Sequence, residues 1–296
     1  MSLPLAYVAI VIIWSTTPLA VKWSAMDAGF IFAVLSRMII AAVFCQILVM
    51  TLRSPWFWHK RALGMYLLCG FNIFFSMVLI YWGAQTISSG LIALIFGLMP
   101  LLTGIFAAFI LNEKSLSAQK LFGIITAFAG LMIIFYSDDT QNEGYTLAVL
   151  AVLTAVIWHS FSTVIFKRFA FDLPVMSLTA GGIWVSVIFL MSLWLISDDH
   201  IPATLSTIGW ASILYLSIIA SVIGFTLYFY ILKNIEASKI ALIPLITPVA
   251  ALILGQYLNG EQPDSRVWTG AFLIIGGLGF YQLGGYLRSI VLKTKI

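Results

Sequence analysis

The sequence has very little charge: Asp, Glu, Lys and Arg together make up 9% of its 296 residues, whereas hydrophobic residues make up 62%. Soluble domains are about 25% charged and about 45–50% apolar. No soluble fold of this length buries that much apolar surface, so the composition indicates a protein of the lipid bilayer. The net charge of +4 requires no nucleic-acid partner.

Residues that carry common enzyme chemistry are also scarce. The two cysteines, Cys45 and Cys69, are too few for a disulfide framework or a CxxC metal site, and we interpret them as buried thiols. Neither a GxxxxGK[ST] phosphate loop nor an HExxH zinc motif occurs, and no cofactor or metal is implied. All 11 carboxylates lie in loops or near the ends of apolar runs, which disfavours proton exchange through an embedded carboxylate.

Long apolar runs are abundant instead. A spanning helix needs about 20 mostly apolar residues, and ten runs meet this length. Backbone groups in hydrocarbon must bond within their own segment, so we predict an all-α polytopic membrane protein with ten transmembrane helices. The predicted spans are 3–23, 30–51, 62–84, 89–111, 117–136, 145–166, 174–196, 207–230, 237–258 and 265–286.

The basic residues predict the orientation. Residues 1–21 contain neither Lys nor Arg, so the start of the chain lacks the basic region of a cleavable signal peptide. If the N-terminus is cytoplasmic, most of the 15 basic residues fall on the cytoplasmic side, as the positive-inside rule requires. We therefore predict an integral membrane protein, in a bacterial inner membrane, with both termini cytoplasmic.

One interval occurs twice, which indicates an internal duplication. Glu113 follows Pro100 by 13 residues, and Glu261 follows Pro248 by the same interval. The predicted repeats are 1–140 and 141–296, which together form one transmembrane domain. Because each repeat holds five spans, an odd number, the second enters the membrane inverted relative to the first.

The fourth and ninth spans are each interrupted by proline near the bilayer centre. Proline cannot donate to the carbonyl four residues earlier, so helices kink or open there. Unpaired backbone at this depth is tolerated only against protein or a water-filled cavity, although these prolines could also merely bend packed helices. We predict a helix break or gate at Gly97, Pro100, Pro244 and Pro248. Glu113 and Glu261 cap or pair with a neighbouring helix, or act as gate latches.

The first and sixth spans resemble each other, with WSTTPLAVK beginning at Trp14 and WHSFSTVIFK beginning at Trp158. Both tryptophans lie inside their spans, where they either wall a cavity or pack between helices. An indole face binds aromatic rings and organic cations. The predicted cavity residues are Trp14, Asn72, Phe96, Met99, Pro100, Trp158, His159, Tyr228, Pro244 and Thr247.

Two ionisable residues lie within spans. His159 could relay protons, because imidazole titrates near neutral pH, or it could be a hydrogen-bonded packing residue. Arg37 could meet a substrate carboxylate, but we favour pairing with helix-end carbonyls. Small-residue stripes at Gly123, Ala127 and Gly130, and at Gly270, Gly277 and Gly284, predict close helix packing within or between monomers.

The order and spacing of these motifs resemble the EamA-type branch of the drug/metabolite transporter superfamily. The matching motifs include LSRMIIAA (35–42), the proline-containing run that ends in LNEK (111–114), and the run that ends in GEQ (260–262). The resemblance implies two inverted repeats around a central cavity lined by the first, third, fourth, sixth, eighth and ninth spans. It further implies export of amino acids, metabolites or drugs. The positions that match the family are Trp14, Phe96, Met99, Pro100, Trp158 and Pro244.

The functional prediction is a secondary permease that exports a small metabolite, which is an amino acid, an aromatic or a drug-like compound. Transport proceeds by alternating access through a central cavity between the two repeats. No fixed charge is expected at the midplane, so we expect a neutral, zwitterionic or aromatic substrate. The other expected partners are lipid and, if the protein is not a monomer, a second copy in a homodimer. The alternative is an intramembrane enzyme acting on lipid or polyprenyl substrates, for which His59, Lys60 and Arg61 form the only dense polar group.

Overall fold

The computed structural model describes residues 3–111, 117–135, 144–169, 173–197, 200–224, 227 and 243–293. Every regular element in these residues is helical. Seven helical segments are long and apolar enough to cross a bilayer, and two shorter apolar segments, Thr207–Ile223 and Ile246–Asn259, accompany them. The prediction of an all-helical membrane protein is therefore confirmed.

The helices follow one another with short connections. In chain order they are α1 (Leu3–Ala28), α2 (Phe30–Thr51), α3 (Lys60–Ala84), α4 (Ser89–Phe96), α5 (Met99–Ile110), α6 (Ala118–Phe135), α7 (Tyr145–Arg168), α8 (Val175–Ile196), α9 (Thr207–Leu214), a π-helical segment (Tyr215–Ile223), α10 (Ile243–Asn259) and α11 (Ser265–Lys293). With α4 joined to α5, and α9 to the π segment, the described helices form ten segments, which is the predicted number.

Two predicted boundaries move for local reasons. The first span continues to Ala28, because nothing stops the helix before Gly29, whose φ of 75° suits a residue without a Cβ. The third begins at Lys60, because the His59 side chain accepts a hydrogen bond from the Ala62 N–H and caps the helix.

The two small-residue stripes pack against each other within one chain. A Cβ at Gly123 would lie 2.5 Å from the Gly277 carbonyl oxygen, and a Cβ at Gly130 would lie 2.6 Å from that of Gly270. Only glycine permits two backbones to approach this closely. The stripes on α6 and α11 therefore pair intramolecularly, which settles the alternative left open by the sequence.

The remaining helices pack so that each half of the chain contacts the other. Helix α3 lies against α7 and α8, and α2 lies against α8 and the π segment. Helix α1 packs on α9 and α10, α4 on α10, and α5 on α7. Large apolar side chains such as Phe109 and Ile196 remain exposed on the outside of the bundle, where lipid is the solvent.

Candidate functional site

The fourth span is broken at its centre. Helix α4 ends at Phe96 and α5 begins at Met99, with Pro100 in its first turn. Around Gly97 and Leu98 the backbone hydrogen bonds join residues three positions apart instead of four. The Leu98 N–H donates to the Ile95 carbonyl over 3.1 Å. Because Pro100 has no N–H, the Phe96 carbonyl cannot receive the bond that would continue the helix. Phe96 and Met99 are half-buried beside this break.

The ninth span differs from the prediction. Helix α10 runs without interruption through Pro248, and Pro244 lies in its first turn. The residues before Ile243 lie outside the described part of the chain, so the break expected at Pro244 stays a prediction. The interruption expected at Pro248 is therefore corrected: a helix can bend around one missing hydrogen bond without ending.

The two proline-bearing spans nevertheless meet at this depth. A Cβ at Gly97 would lie 3.5 Å from the Pro248 Cγ and 2.9 Å from the Leu94 carbonyl oxygen. Pro248 and Gly97 are both buried, whereas Thr247 is half-buried. The break in the fourth span thus faces the proline of the ninth.

The structure joins two residues that the sequence identified separately. The Asn72 side-chain amide, on α3, lies 3.3 Å from the His159 Nδ1, on α7. Asn72 is 5% exposed, and its Oδ1 has no hydrogen-bond partner in the described part of the chain. One turn away, the Ser76 hydroxyl donates to the Ala155 carbonyl over 3.4 Å. This is a polar seam between α3 and α7 inside an apolar bundle.

Trp158 lies next to this seam, in an aromatic cluster. Its ring meets Phe71 and Phe75 of α3 edge-on, with centroids 5.7 and 5.5 Å apart, and Phe161 at 5.9 Å. Its indole Nε1 is buried, and no acceptor for it exists among the described residues. A buried donor without a partner is unfavourable unless a ligand or water satisfies it.

Trp14 has different neighbours. It packs against a small cluster of Ala6, Ile10 and Ile243. Two residues along, the Thr16 and Tyr215 hydroxyls lie 2.6 Å apart, which links α1 to the start of the π segment. Trp14 and Trp158 are therefore packed against different sets of residues.

More polar atoms lie on α5 and α7 near the break. The Ser160 hydroxyl donates to the Met99 carbonyl over 3.3 Å. The hydroxyls of Thr103 and Ser162 are buried and have no partner in the residues the structure describes. These groups can hydrogen-bond a small solute. No group of His, Cys, Asp and Glu that could hold a metal ion occurs within the described ranges.

Glu261 holds one end of the bundle together. Its carboxylate accepts from the Ser89 N–H at 2.9 Å, the Ser89 hydroxyl at 3.0 Å and the Gly90 N–H at 3.4 Å, at the N-terminus of α4. The Asn259 amide donates to the same carboxylate at 2.9 Å, and the Trp23 indole donates to Asn259 at 2.7 Å. We call these five residues the Glu261 network. Glu113, the counterpart in the other half, and Tyr228 lie outside the described residues.

Lys22, the last residue of the WSTTPLAVK motif, contacts the segment that follows α3. Its ammonium donates to the Ile87 carbonyl at 2.7 Å and to the Ala84 carbonyl at 3.4 Å, beside the Glu261 network. Carbonyls after the last turn of α3 have no intrahelical partner, so they attract this cation.

Arg37 also departs from the prediction, because it does not pair with helix-end carbonyls. It is 3% exposed and donates to the hydroxyls of Ser221, on the π segment, and Tyr81, on α3. The sequence could not identify these partners, since Ser221 lies 184 positions away. Arg37 therefore places a buried positive charge within the second span.

The polar group considered for a lipid enzyme has structural partners. His59 caps α3, and the Arg61 guanidinium donates to the Phe169 carbonyl at 2.8 Å. Both interactions secure helix ends and loops. They give no support to a catalytic assignment.

Known proteins resemble this chain over most of its length. The model of the EamA-like transporter family matches residues 2–136 and 146–281. An uncharacterized transporter of Archaeoglobus fulgidus is 26% identical over 90% of this chain and 93% of its own length. A probable terminal-alkyne amino-acid exporter of Streptantibioticus cattleyicolor is 27% identical over 92% of this chain and 91% of its own.

A solved structure shares the fold. It covers 96% of this chain, and 98% of its own length is matched, with a TM-score of 0.64 at 17% sequence identity. The family match spans nearly the whole sequence, and a family of transporters is consistent with a bundle of apolar helices. The chain belongs to the EamA-like transporter family.

Proposed function

We propose that the protein is a secondary permease that exports a small metabolite by alternating access through a central cavity between its two halves. The observation that carries this proposal is the meeting of the broken fourth span with Pro248, beside buried polar atoms that lack partners. A helix break within the membrane, beside polar groups that lack partners among the described residues, is a feature of a transporter's binding site. No chemical transformation of the solute is required.

Two inverted repeats, 1–140 and 141–296, form part of the proposal. The family model matches two stretches of nearly equal length, which supports a duplication. The packing is also consistent with two equivalent halves. The third span packs on the sixth (α3 on α7), as the eighth packs on the first (α9 and the π segment on α1), and the last span of each half pairs with the other (α6 with α11). In this arrangement both termini are cytoplasmic, and the protein works in the inner membrane as a monomer or homodimer.

The Glu261 network would act as the latch of one gate. It ties α4, from the first half, to the segment after α10, from the second. Opening that end of the bundle would require the carboxylate to leave the N-terminus of α4. In the proposed orientation this is the outer end, so the arrangement described here is closed to the outside.

The solute class follows from the lining and from one relative. Trp158, Phe71 and Phe75 offer aromatic faces, and Asn72 and His159 offer hydrogen bonds. The Streptantibioticus cattleyicolor relative is named as an amino-acid exporter. We therefore place amino acids first, followed by other aromatic or drug-like compounds.

Transport by the purified protein in proteoliposomes tests the proposal. We expect uptake or efflux of at least one of several radiolabelled amino acids, including one with a terminal alkyne, and none with empty liposomes. Trp158→Ala and Asn72→Ala should each reduce the rate about tenfold or more, since each removes a group of the proposed lining. Phe109→Ala, at a lipid-exposed site, is the matched control.

Rates that are unchanged in Trp14→Ala, Trp158→Ala and Pro100→Ala would reject the site. Flux measured with and without a pH gradient tests coupling. If His159 carries the proton, His159→Ala should abolish the dependence on the gradient while flux down a solute gradient remains. A gradient dependence that survives in His159→Ala would remove His159 from the coupling step.

A further inference from the structure

Arg37 is a buried cation surrounded by neutral groups. It is the eighth residue of α2, roughly 10 Å along the helix axis from its start, and it is 3% exposed. Its partners are the Ser221 hydroxyl at 3.1 and 3.3 Å, the Tyr81 hydroxyl at 3.3 Å and the Met77 sulfur at 3.9 Å. A buried cation normally has an anionic partner, because desolvation of an isolated charge is strongly unfavourable.

The carboxylates in the described part of the chain are engaged elsewhere. Asp27 accepts from the Ser206 N–H, Glu261 belongs to the Glu261 network, and Asp264 accepts from the Ser265 hydroxyl. No carboxylate among the described residues forms an ion pair with Arg37. The positive charge is therefore unbalanced within the described protein.

The cluster has more hydrogen-bond donors than acceptors. A guanidinium has five N–H donors and no acceptor. Ser221 accepts from Nε and Nη2, while Tyr81 and Met77 accept from Nη1. One Nη2 hydrogen and the Tyr81 hydroxyl proton have no acceptor among the described residues. An anionic group with two oxygens is the chemical complement of this surplus.

The present bonds are long enough to be exchanged. Hydrogen bonds between a guanidinium and a carboxylate are typically about 2.7–2.9 Å, shorter than any that Arg37 makes here. The Ser221 hydroxyl also donates to the Leu216 carbonyl at 2.9 Å, along the π segment. Ser221 therefore keeps a partner when Arg37 turns to another acceptor.

We propose that Arg37, Tyr81 and Ser221 bind the carboxylate of the transported solute, so that the substrates of this protein are carboxylates, with amino acids as the main class. This assignment rests on the proposed permease function. Arg37 and Tyr81 lie in the first half of the chain and Ser221 in the second. An anion bound among them joins the two halves, which couples solute binding to their relative movement. Irregular π-helical turns are frequent at such functional positions.

Matched acids and amides test this assignment. Thermal unfolding of the full-length protein in detergent is measured with L-phenylalanine or L-leucine, and with the amide of each. We expect at least one acid to raise the unfolding temperature and neither amide to do so. Arg37→Gln should weaken the apparent affinity for that acid about tenfold or more, because it removes a charge-assisted contact. Arg37→Lys should retain part of it.

Two variants control for folding. Arg266→Gln removes an exposed arginine and should bind the acid like wild type. Tyr81→Phe keeps the ring and loses only the hydroxyl, so it remains informative if Arg37→Gln does not fold. We expect it to weaken acid binding severalfold. Unchanged affinity in Arg37→Gln, or in Tyr81→Phe if the former does not fold, overturns the proposal.

Three other outcomes also overturn it: equal stabilisation by acid and amide, no stabilisation by either acid, or an Arg37-dependent response to chloride alone. The last outcome would identify an inorganic counter-ion instead of a solute carboxylate. Flux of the bound acid in proteoliposomes separates this site from the permease itself. Arg37-dependent binding without flux would reject transport and leave the carboxylate site intact.

Discussion

Two charged side chains in this molecule, the half-buried Glu261 and the buried Arg37, have opposite surroundings. The Glu261 carboxylate receives hydrogen bonds from Ser89, Gly90 and Asn259, and the Lys22 ammonium lies beside it. The Arg37 guanidinium meets two hydroxyls, a sulfur and the Tyr81 ring, and no carboxylate among the described residues. Both sites connect the first half of the chain to the second, but among the described residues only the first combines several hydrogen bonds to its charge with an opposite charge in its vicinity.

This difference separates a structural lock from a binding site. A fully satisfied charge holds its partners in one arrangement, and its removal leaves buried donors without acceptors. An incompletely satisfied charge can accept an external partner at little cost. Stability should therefore depend most on the Glu261 network, whereas a ligand should act through Arg37.

The largest loss of stability is expected for Glu261→Ala. It removes the acceptor of the Ser89 and Gly90 N–H groups at the start of α4, and we expect a loss of about 2–4 kcal/mol in the free energy of unfolding. Unfolding by SDS in mixed micelles measures it. Gln262→Ala, at the exposed neighbour, should have little effect. If both variants unfold alike, Glu261 is not a lock.

Gly255→Ala should have the next largest effect. A Cβ at this position would clash with the Glu261 carboxylate and lie 2.8 Å from the Ser89 hydroxyl, so the network must shift. We expect a loss of about 1–3 kcal/mol in the same assay. Gly279→Ala, whose Cβ would have no neighbour within 4 Å, should not destabilise the protein. Equal losses in the two variants would contradict a tightly fitted network.

A smaller loss, about 1–2 kcal/mol, is expected for Ser221→Ala, which removes the hydroxyl oxygen that accepts two hydrogen bonds from Arg37. The acid that binds wild type should recover part of this loss, because its carboxylate replaces the missing hydroxyl. The same acid should not recover the loss in Gly255→Ala. Recovery in both variants, or in neither, would remove the distinction between the two charged sites.

Local sequence features predicted the elements well where the cause is local. Apolar run length identified the spanning helices, and Pro100 indicated the break in the fourth span, because a missing N–H acts on a carbonyl four residues away. The same rule was insufficient at Pro248, where α10 continues. Whether a helix ends or continues at a proline depends on the residues that pack around it. At Pro248 the neighbouring residue is Gly97 of the fourth span.

The pairing of polar residues was not predictable in the same way. Glu261 and Ser89 lie 172 positions apart, and Asn72 and His159 lie 87 apart. Several helix faces could have held each residue, and one sequence does not say which faces meet. A shortage of carboxylates within the spans was the sequence signal that Arg37 has no counter-charge in the part of the chain that the structure describes.

Composition and the length of the apolar runs by themselves determined that this chain is a bundle of membrane helices. Within lipid the backbone must form its own hydrogen bonds, and a continuous apolar run of about 20 residues does so as a helix. Only the tertiary structure decided that the Glu261 carboxylate has several hydrogen-bond donors, whereas the Arg37 guanidinium has only neutral partners among the described residues. A charge is compensated by atoms within a few ångströms, and those atoms come from helices that the order of the sequence does not place together.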